Sequence, residues 1–189
     1  MARAGLTAER LTRAAAELAD EVGFENVTVS ALARGFGVKD ASLYSHVKNV
    51  HDLKCRVATL ALTELADQVA AALAGRAGRD ALVAFASAYR TYANAHPGRY
   101  AATMFKLDPE AAATGAAGRH AEMTRAILRG YALSEPDETD ALRLLHSTFH
   151  GFVSLEQAVG AQQPRDLDAS WHRILDALDA ALKNWPAPR

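Results

Sequence analysis

Lys39, Asp40, Ser42, Ser45 and His46 fall in one short stretch of the chain. Together they offer a cation, an anion, two hydroxyls and an imidazole on small or medium side chains. That set suits the edges of base pairs in a DNA major groove, where each pair displays its own pattern of donors and acceptors. Ala41, between them, leaves room for close approach and can meet a thymine methyl. Upstream, Thr28, Ser30 and Arg34 suit the sugar-phosphate backbone, which orients a reader without specifying sequence. Arg3 can extend the contact as an arm. Each feature also has a plainer reading: a polar face on a short helix is solvated, and Asp40 is well placed to cap a helix instead of touching a base.

Other chemically capable residues are fewer. His146 and His150 stand four apart, a helical spacing that can hold zinc if Glu122, Glu156 or His120 converges on them. Core or interface histidines are the simpler reading, and no metal or other cofactor is expected. Cys55 lies between Lys54 and Arg56, which favours a thiolate, yet a structural cysteine fits as well. No nucleophile elbow, phosphate loop or dinucleotide fingerprint occurs, so the chain is not expected to be an enzyme.

These residues need a scaffold, and the composition predicts an all-α one. The chain has 189 residues, with 42 alanines and 22 leucines, both strong helix formers. Half the residues are apolar and the formal charge is −1, so overall charge does not announce a nucleic-acid partner. A single cysteine excludes an intramolecular disulfide framework. No run is long and apolar enough for a membrane span, and the first residues lack a signal peptide's apolar core, so a cytoplasmic location is expected.

The periodicity predicts a helix over 7–23, with Thr7 as N-cap and Gly23 as its stop. A second follows over 28–36, then a glycine turn at Gly35–Val38, then a short helix over 39–47. Ala41, Leu43, Tyr44 and Val47 are its apolar members. A long helix is expected over 49–73. Further helices are expected over 79–95, 100–106, 108–115, 116–132, 137–160 and 168–184. The boundary between a head of residues 1–56 and a larger part of residues 57–189 is placed inside the long helix. Two short helices joined by a glycine turn, after a longer one, match a helix-turn-helix.

The stretch from Thr28 to Val47, with Leu43-Tyr44-Ser45-His46-Val47 and the downstream Leu53, resembles the helix-turn-helix of the tetracycline-repressor (TetR) family. The specific match covers residues 6–56. Val47 stands where the family usually has Phe, and Val50 replaces a common Lys that contacts phosphate; Lys48 or Lys54 can take over that role. The resemblance makes Tyr44 a phosphate contact. It implies a regulator, most often a repressor, that binds double-stranded DNA as a homodimer and answers to a small-molecule effector. The alternative is a helical interaction module that has lost operator binding.

Two further patterns fit one branch of that family: Tyr92 through Tyr100 with Met104 and Phe105, and Phe149-His150-Gly151-Phe152. The effector pocket is expected among Phe85, Tyr89, Tyr92, Met104, Phe105, Met123, His146, Phe149 and His150, where ordinary core packing is the competing role. The dimer seam is expected from the last two helices. Leu144, Thr148, Gly151 and Leu155 form one face of the first. Trp171, Ile174, Leu175, Leu178 and Leu182 form the stripe of the second. Paired with their symmetry mates, they make a four-helix bundle.

Overall fold

A computed structural model describes residues 5–107, 115–159 and 166–186. Among these residues there are eight α-helices and no strand. They are α1 (Ala8–Val22), α2 (Val29–Phe36), α3 (Val50–Leu73), α4 (Gly78–Ala95), α5 (Pro97–Thr103), α6 (Ala116–Arg129), α7 (Asp137–Val159) and α8 (Leu167–Lys183). Short 3-10 turns occupy Phe24–Asn26 and Asp40–Ser42. The all-helical expectation holds. The expected helix over 108–115 and the arm residue Arg3 lie outside the described residues, apart from residue 115.

The described residues of 1–64 and 95–117 form one compact unit, and those of 65–94 and 118–189 form the other. This differs from a single cut at residue 56. The change of unit falls at Glu64, inside α3, and α5 joins the head.

In the first unit, α1 begins where the Thr7 hydroxyl accepts the Arg10 N–H at 3.2 Å. It ends at Gly23, whose N–H donates to the Ala19 carbonyl. Leu11, Ala15, Ala16 and Ala19 line its buried stripe. They meet Phe24, Val27, Val29, Leu32, Ala33, Leu43 and Val47, with Leu53, Val57, Ala58 and Ala61 from the start of α3. Each fully buried leucine in this core contributes about 2 kcal/mol of hydrophobic stabilisation.

α5 begins three residues before the expected Tyr100. Pro97 starts the helix and does not merely stop the previous one, because the first helical position needs no N–H. Gly98 lies so close to α1 that a Cβ there would fall 1.9 Å from the Ala19 carbonyl oxygen. Asp20 caps the turn: its carboxylate accepts the Arg99 backbone N–H at 2.8 Å. Ala102 then enters the head core, and Phe105 packs edge-on against Phe24 at 5.5 Å between ring centres.

In the second unit, Leu82, Phe85, Tyr89 and Tyr92 of α4, Leu128 of α6, Leu145 and Phe149 of α7, and Trp171, Leu175 and Leu182 of α8 are buried. Arg90 ties three of these helices together. It holds Glu156 of α7 at 2.5 Å and Asp168 of α8 at 2.7 Å, and stacks over Phe152 and Trp171. The Glu156 carboxyl is held below its ordinary range chiefly by the hydrogen bond from Arg90.

Candidate nucleic-acid interface

The polar stretch is positioned by α2 and the turn after it. Thr28 starts α2, its hydroxyl accepting the Ala31 N–H at 3.1 Å. Gly37 ends the helix in the left-handed region, φ 66°, which a residue with a Cβ enters at a cost. The Val38 N–H then donates back to the Ala33 carbonyl. Downstream, Leu43 and Val47 are buried beside Leu32 and Ala33 in the same core cluster. Val47 therefore fills the site where the family usually has Phe.

The expected helix over 39–47 is a correction. A 3-10 turn spans Asp40–Ser42, and residues 43–46 continue as hydrogen-bonded turns. Leu43 donates to the Asp40 carbonyl and His46 to that of Leu43, both three residues back. Ser45 also donates its hydroxyl to the Ser42 carbonyl at 2.9 Å. Its serines and aspartate compete with the helix for backbone partners.

The polar residues of this stretch and of α2 stay at the surface. Thr28, Ser30, Arg34, Lys39, Asp40, Ala41, Ser42, Ser45 and Lys48 are exposed, and His46 is half-buried. Tyr44, an aromatic, is 54% exposed while its neighbour Leu43 is fully buried. Asp40 does not cap its own turn. Its carboxylate accepts a hydrogen bond from the Ser30 hydroxyl, fastening the turn to α2. Arg34, Lys39 and Lys48 leave this face with more positive than negative charge.

The two lysines at the start of α3 differ in their surroundings. Lys54 is held by Glu25 at 2.9 Å and lies over the Phe24 ring. Lys48 keeps its ammonium exposed, while its backbone N–H donates to Asp52 at 2.9 Å. Asn49 accepts the Asp52 N–H at 2.8 Å, completing the helix start. Burial pushes the Asp52 carboxyl up, but the Lys48 N–H and Arg56 together hold it below its ordinary range. Val50 is 42% exposed at the position of the missing lysine. Cys55 is half-buried, with Sγ 3.5 Å from His51 Nε2.

The residues expected to line a pocket divide between the two units. Phe85, Tyr89, His146 and Phe149 come together in the second. Phe149 lies 6.0 Å from both Phe85 and Tyr89, and His146 stacks on His120. Tyr92 is buried on the same helix as Phe85, and Met123 is half-buried. Met104 and Phe105 belong to the head unit instead: Met104 is exposed and Phe105 packs on Phe24 and His51. α5, which precedes both residues, packs on α1 within the head unit. His150 is exposed and Glu156 is engaged by Arg90, so neither joins His146.

The seam residues also divide. Trp171, Leu175, Leu178 and Leu182 are buried within the chain itself, and Ile174 is half-buried. That stripe of α8 packs into the core of its own unit. On α7, Leu144 and Leu155 stay exposed, and a Cβ at Gly151 between them would meet nothing within 4 Å.

Comparison with known proteins places this architecture. Residues 11–49 match the bacterial regulatory proteins of the tetR family, and residues 82–178, half of the chain, match the tetracyclin repressor-like C-terminal domain. The chain belongs to the TetR family. It is a TetR-family DNA-binding transcriptional regulator. An uncharacterised HTH-type transcriptional regulator of Mycobacterium tuberculosis, Rv0681, is 36% identical over 186 residues, covering 95% of this chain and 83% of that protein. A TetR variant from Acinetobacter baumannii, solved with minocycline, is 25% identical with a TM-score of 0.73, covering 97% of this chain and all of that one. BioQ, solved with its double-stranded DNA operator, shares the fold at 20% identity and a TM-score of 0.68, covering 95% and 99%.

Two features of this TetR-family chain escaped the sequence. Asp20 and His96 pair at 3.2 Å across a long stretch of chain. Only the Pro97 helix start hinted that a cap was needed. His120 entered only as a possible metal ligand, yet it is buried in the aromatic cluster of the second unit. Its apolar neighbours on α6, Ile127 and Leu128, are the signal that marks the inward face.

Proposed function

We propose that this chain is a homodimeric repressor that binds a palindromic operator and leaves it when a small-molecule effector binds the second unit. The observation that carries the reading is the exposed polar face from Lys39 to Lys48, anchored by buried Leu43 and Val47. Two copies related by a twofold axis suit two half-sites. Residues 1–56 carry the groups that read DNA, α5 completes their core, and the rest of residues 57–189 supplies the effector and dimer functions. α7 supports the dimer with its exposed Leu144, Gly151 and Leu155. The minocycline complex of the Acinetobacter relative supports small-molecule control, and the BioQ operator complex supports DNA as the partner. No described helix is long and apolar enough to cross a membrane, consistent with action in the cytoplasm.

The test is selection of genomic fragments by the purified chain, followed by sequencing. A short palindrome should be enriched, and Tyr44→Ala should lose it. Lys48→Ala should weaken binding to the selected site and lower the salt dependence by about one phosphate contact. A second reading, an interaction module without operator binding, is favoured by the engagement of Lys54 with Glu25 and by exposed Val50. A dimeric chain that enriches no sequence would establish it.

A further inference from the structure

Three buried ring nitrogens in the second unit have no hydrogen-bond partner among the described residues: His120 Nδ1, His146 Nε2 and Trp171 Nε1. Buried polar atoms are almost always paired, so three within one aromatic cluster call for an explanation. His120 is 7% exposed. Its ring stacks on His146 at 5.5 Å between centres, with the planes 30° apart. Phe85 lies 5.1 Å from His120 and Tyr89 6.1 Å from it, and Phe149 closes the group against both. Trp171 stands on the other side of Phe149, at 5.7 Å.

We propose that His120 and His146, framed by Phe85, Tyr89 and Phe149, form the polar end of a binding site for an uncharged aromatic molecule that bears a hydroxyl group. The assignment deepens the effector reading above and rests on it. Each neutral imidazole carries one N–H and one lone pair. A hydroxyl both donates and accepts, so it can serve one nitrogen from each ring under more than one choice of tautomer. A carboxylate only accepts, and an ammonium only donates. Burial lowers the basicity of both histidines, so the rings stay neutral and a buried carboxylate would find no positive charge there to offset its lost hydration. Arg90, stacked over Phe152 and Trp171, is already engaged by Glu156 and Asp168 and is not available for an anion. The aromatic frame favours a flat ring, stacked offset or edge-on.

Calorimetry on the full chain tests this with three probes of one shape: para-ethylphenol, para-ethylbenzoate and ethylbenzene. The phenol should bind about tenfold more tightly than ethylbenzene, the gain of one well-made hydrogen bond in a buried site, and the benzoate more weakly than either. His120→Phe and His146→Phe should each erase the preference for the phenol while ethylbenzene binding persists. Histidine ring NMR signals provide a second readout on the unmutated chain, and the phenol should shift the signals of both rings. Tighter binding of the benzoate, no binding of the phenol at millimolar concentration, or a phenol preference that survives both substitutions would overturn the proposal. Operator affinity is measured alongside. Selective phenol binding that leaves operator affinity unchanged would support the site and overturn only the release reading.

Discussion

The carboxylate of Asp20 and the backbone of Arg99 make one joint between α1 and α5. Oδ1 accepts the Arg99 N–H at 2.8 Å, and Oδ2 lies 3.1 Å from Arg99 Nε. The same Oδ2 is 3.2 Å from His96 Nδ1, and Arg99 reaches on to Glu64 at 3.3 Å. A residue of the first helix thus serves as the N-terminal cap of the fifth. Asp20→Ala should lower stability by about 1 kcal/mol, the usual cost of a lost cap, and Asp20→Asn by less, since an amide oxygen still accepts. Thermal melts of the two variants check the order, and equal losses would deny the cap its role.

Gly98 offers a sharper test of the same joint. A Cβ would sit 1.9 Å from a backbone oxygen of α1, which cannot turn aside as a side chain can. Gly98→Ala should therefore cost about 2 kcal/mol or more, as overpacked sites do. It should also broaden the NMR signals of head residues. Gly35→Ala, in open space on α2, is the control and should be neutral or slightly stabilising.

The head was readable to the extent that its contacts are local. Thr28, Gly37, Leu43 and Val47 sit at fixed offsets, and each does what its offset predicts. The 3-10 turn at Asp40–Ser42 was not readable, because a polar segment of that length is as compatible with one helical geometry as with another. The placement of Met104 and Phe105 failed for a different reason. They follow Tyr92 closely in sequence, but α5 is bonded to Asp20, 79 residues from Arg99. No local pattern encodes a partner so distant. The stripe from Trp171 to Leu182 showed correctly that one face of α8 is buried, but not whether its own chain or a second copy buries it.

The buried histidines predict how stability responds to acid. In the folded chain His120 is pushed down to about 4, first by burial and then by the neighbouring His146, from an ordinary value of 6.5. Between these values the unfolded chain binds the extra proton and the folded chain does not. Stability is therefore complete above about pH 6.5 and falls as the pH drops toward 4, by on the order of 1 kcal/mol per pH unit. Urea midpoints at about pH 7 and about pH 5 measure the drop. His120→Phe should reduce it, and an unchanged drop would show that other groups govern the acid response.

Assembly is tested at α7. A Cβ at Gly151 would meet nothing within 4 Å, so a side chain there starts out into open space. Gly151→Trp should fold with an unchanged melting profile at low concentration, yet behave as a monomer by light scattering at micromolar concentration. Leu155→Glu, which places a charge on the same exposed face, should do likewise. Dimers that persist in both variants would move the seam to another surface.

The docking of α5 has a consequence for how such regulators can be taken apart and recombined. The head is not a continuous stretch: Ala102 of α5 enters a core built from α1, α2 and α3, and Phe105 leans on Phe24. A fragment cut after residue 56 would expose those alanine and phenylalanine contacts to water and leave Asp20 without the helix it caps. A chimera that takes its DNA specificity from this chain must therefore carry α5 along with the first three helices, or supply a substitute shaped to lie against Ala19. Exchange between family members would then follow a boundary drawn by packing and not by chain order. A functional hybrid would therefore need three crossover points, one within α3, one between α4 and α5, and one beyond α5.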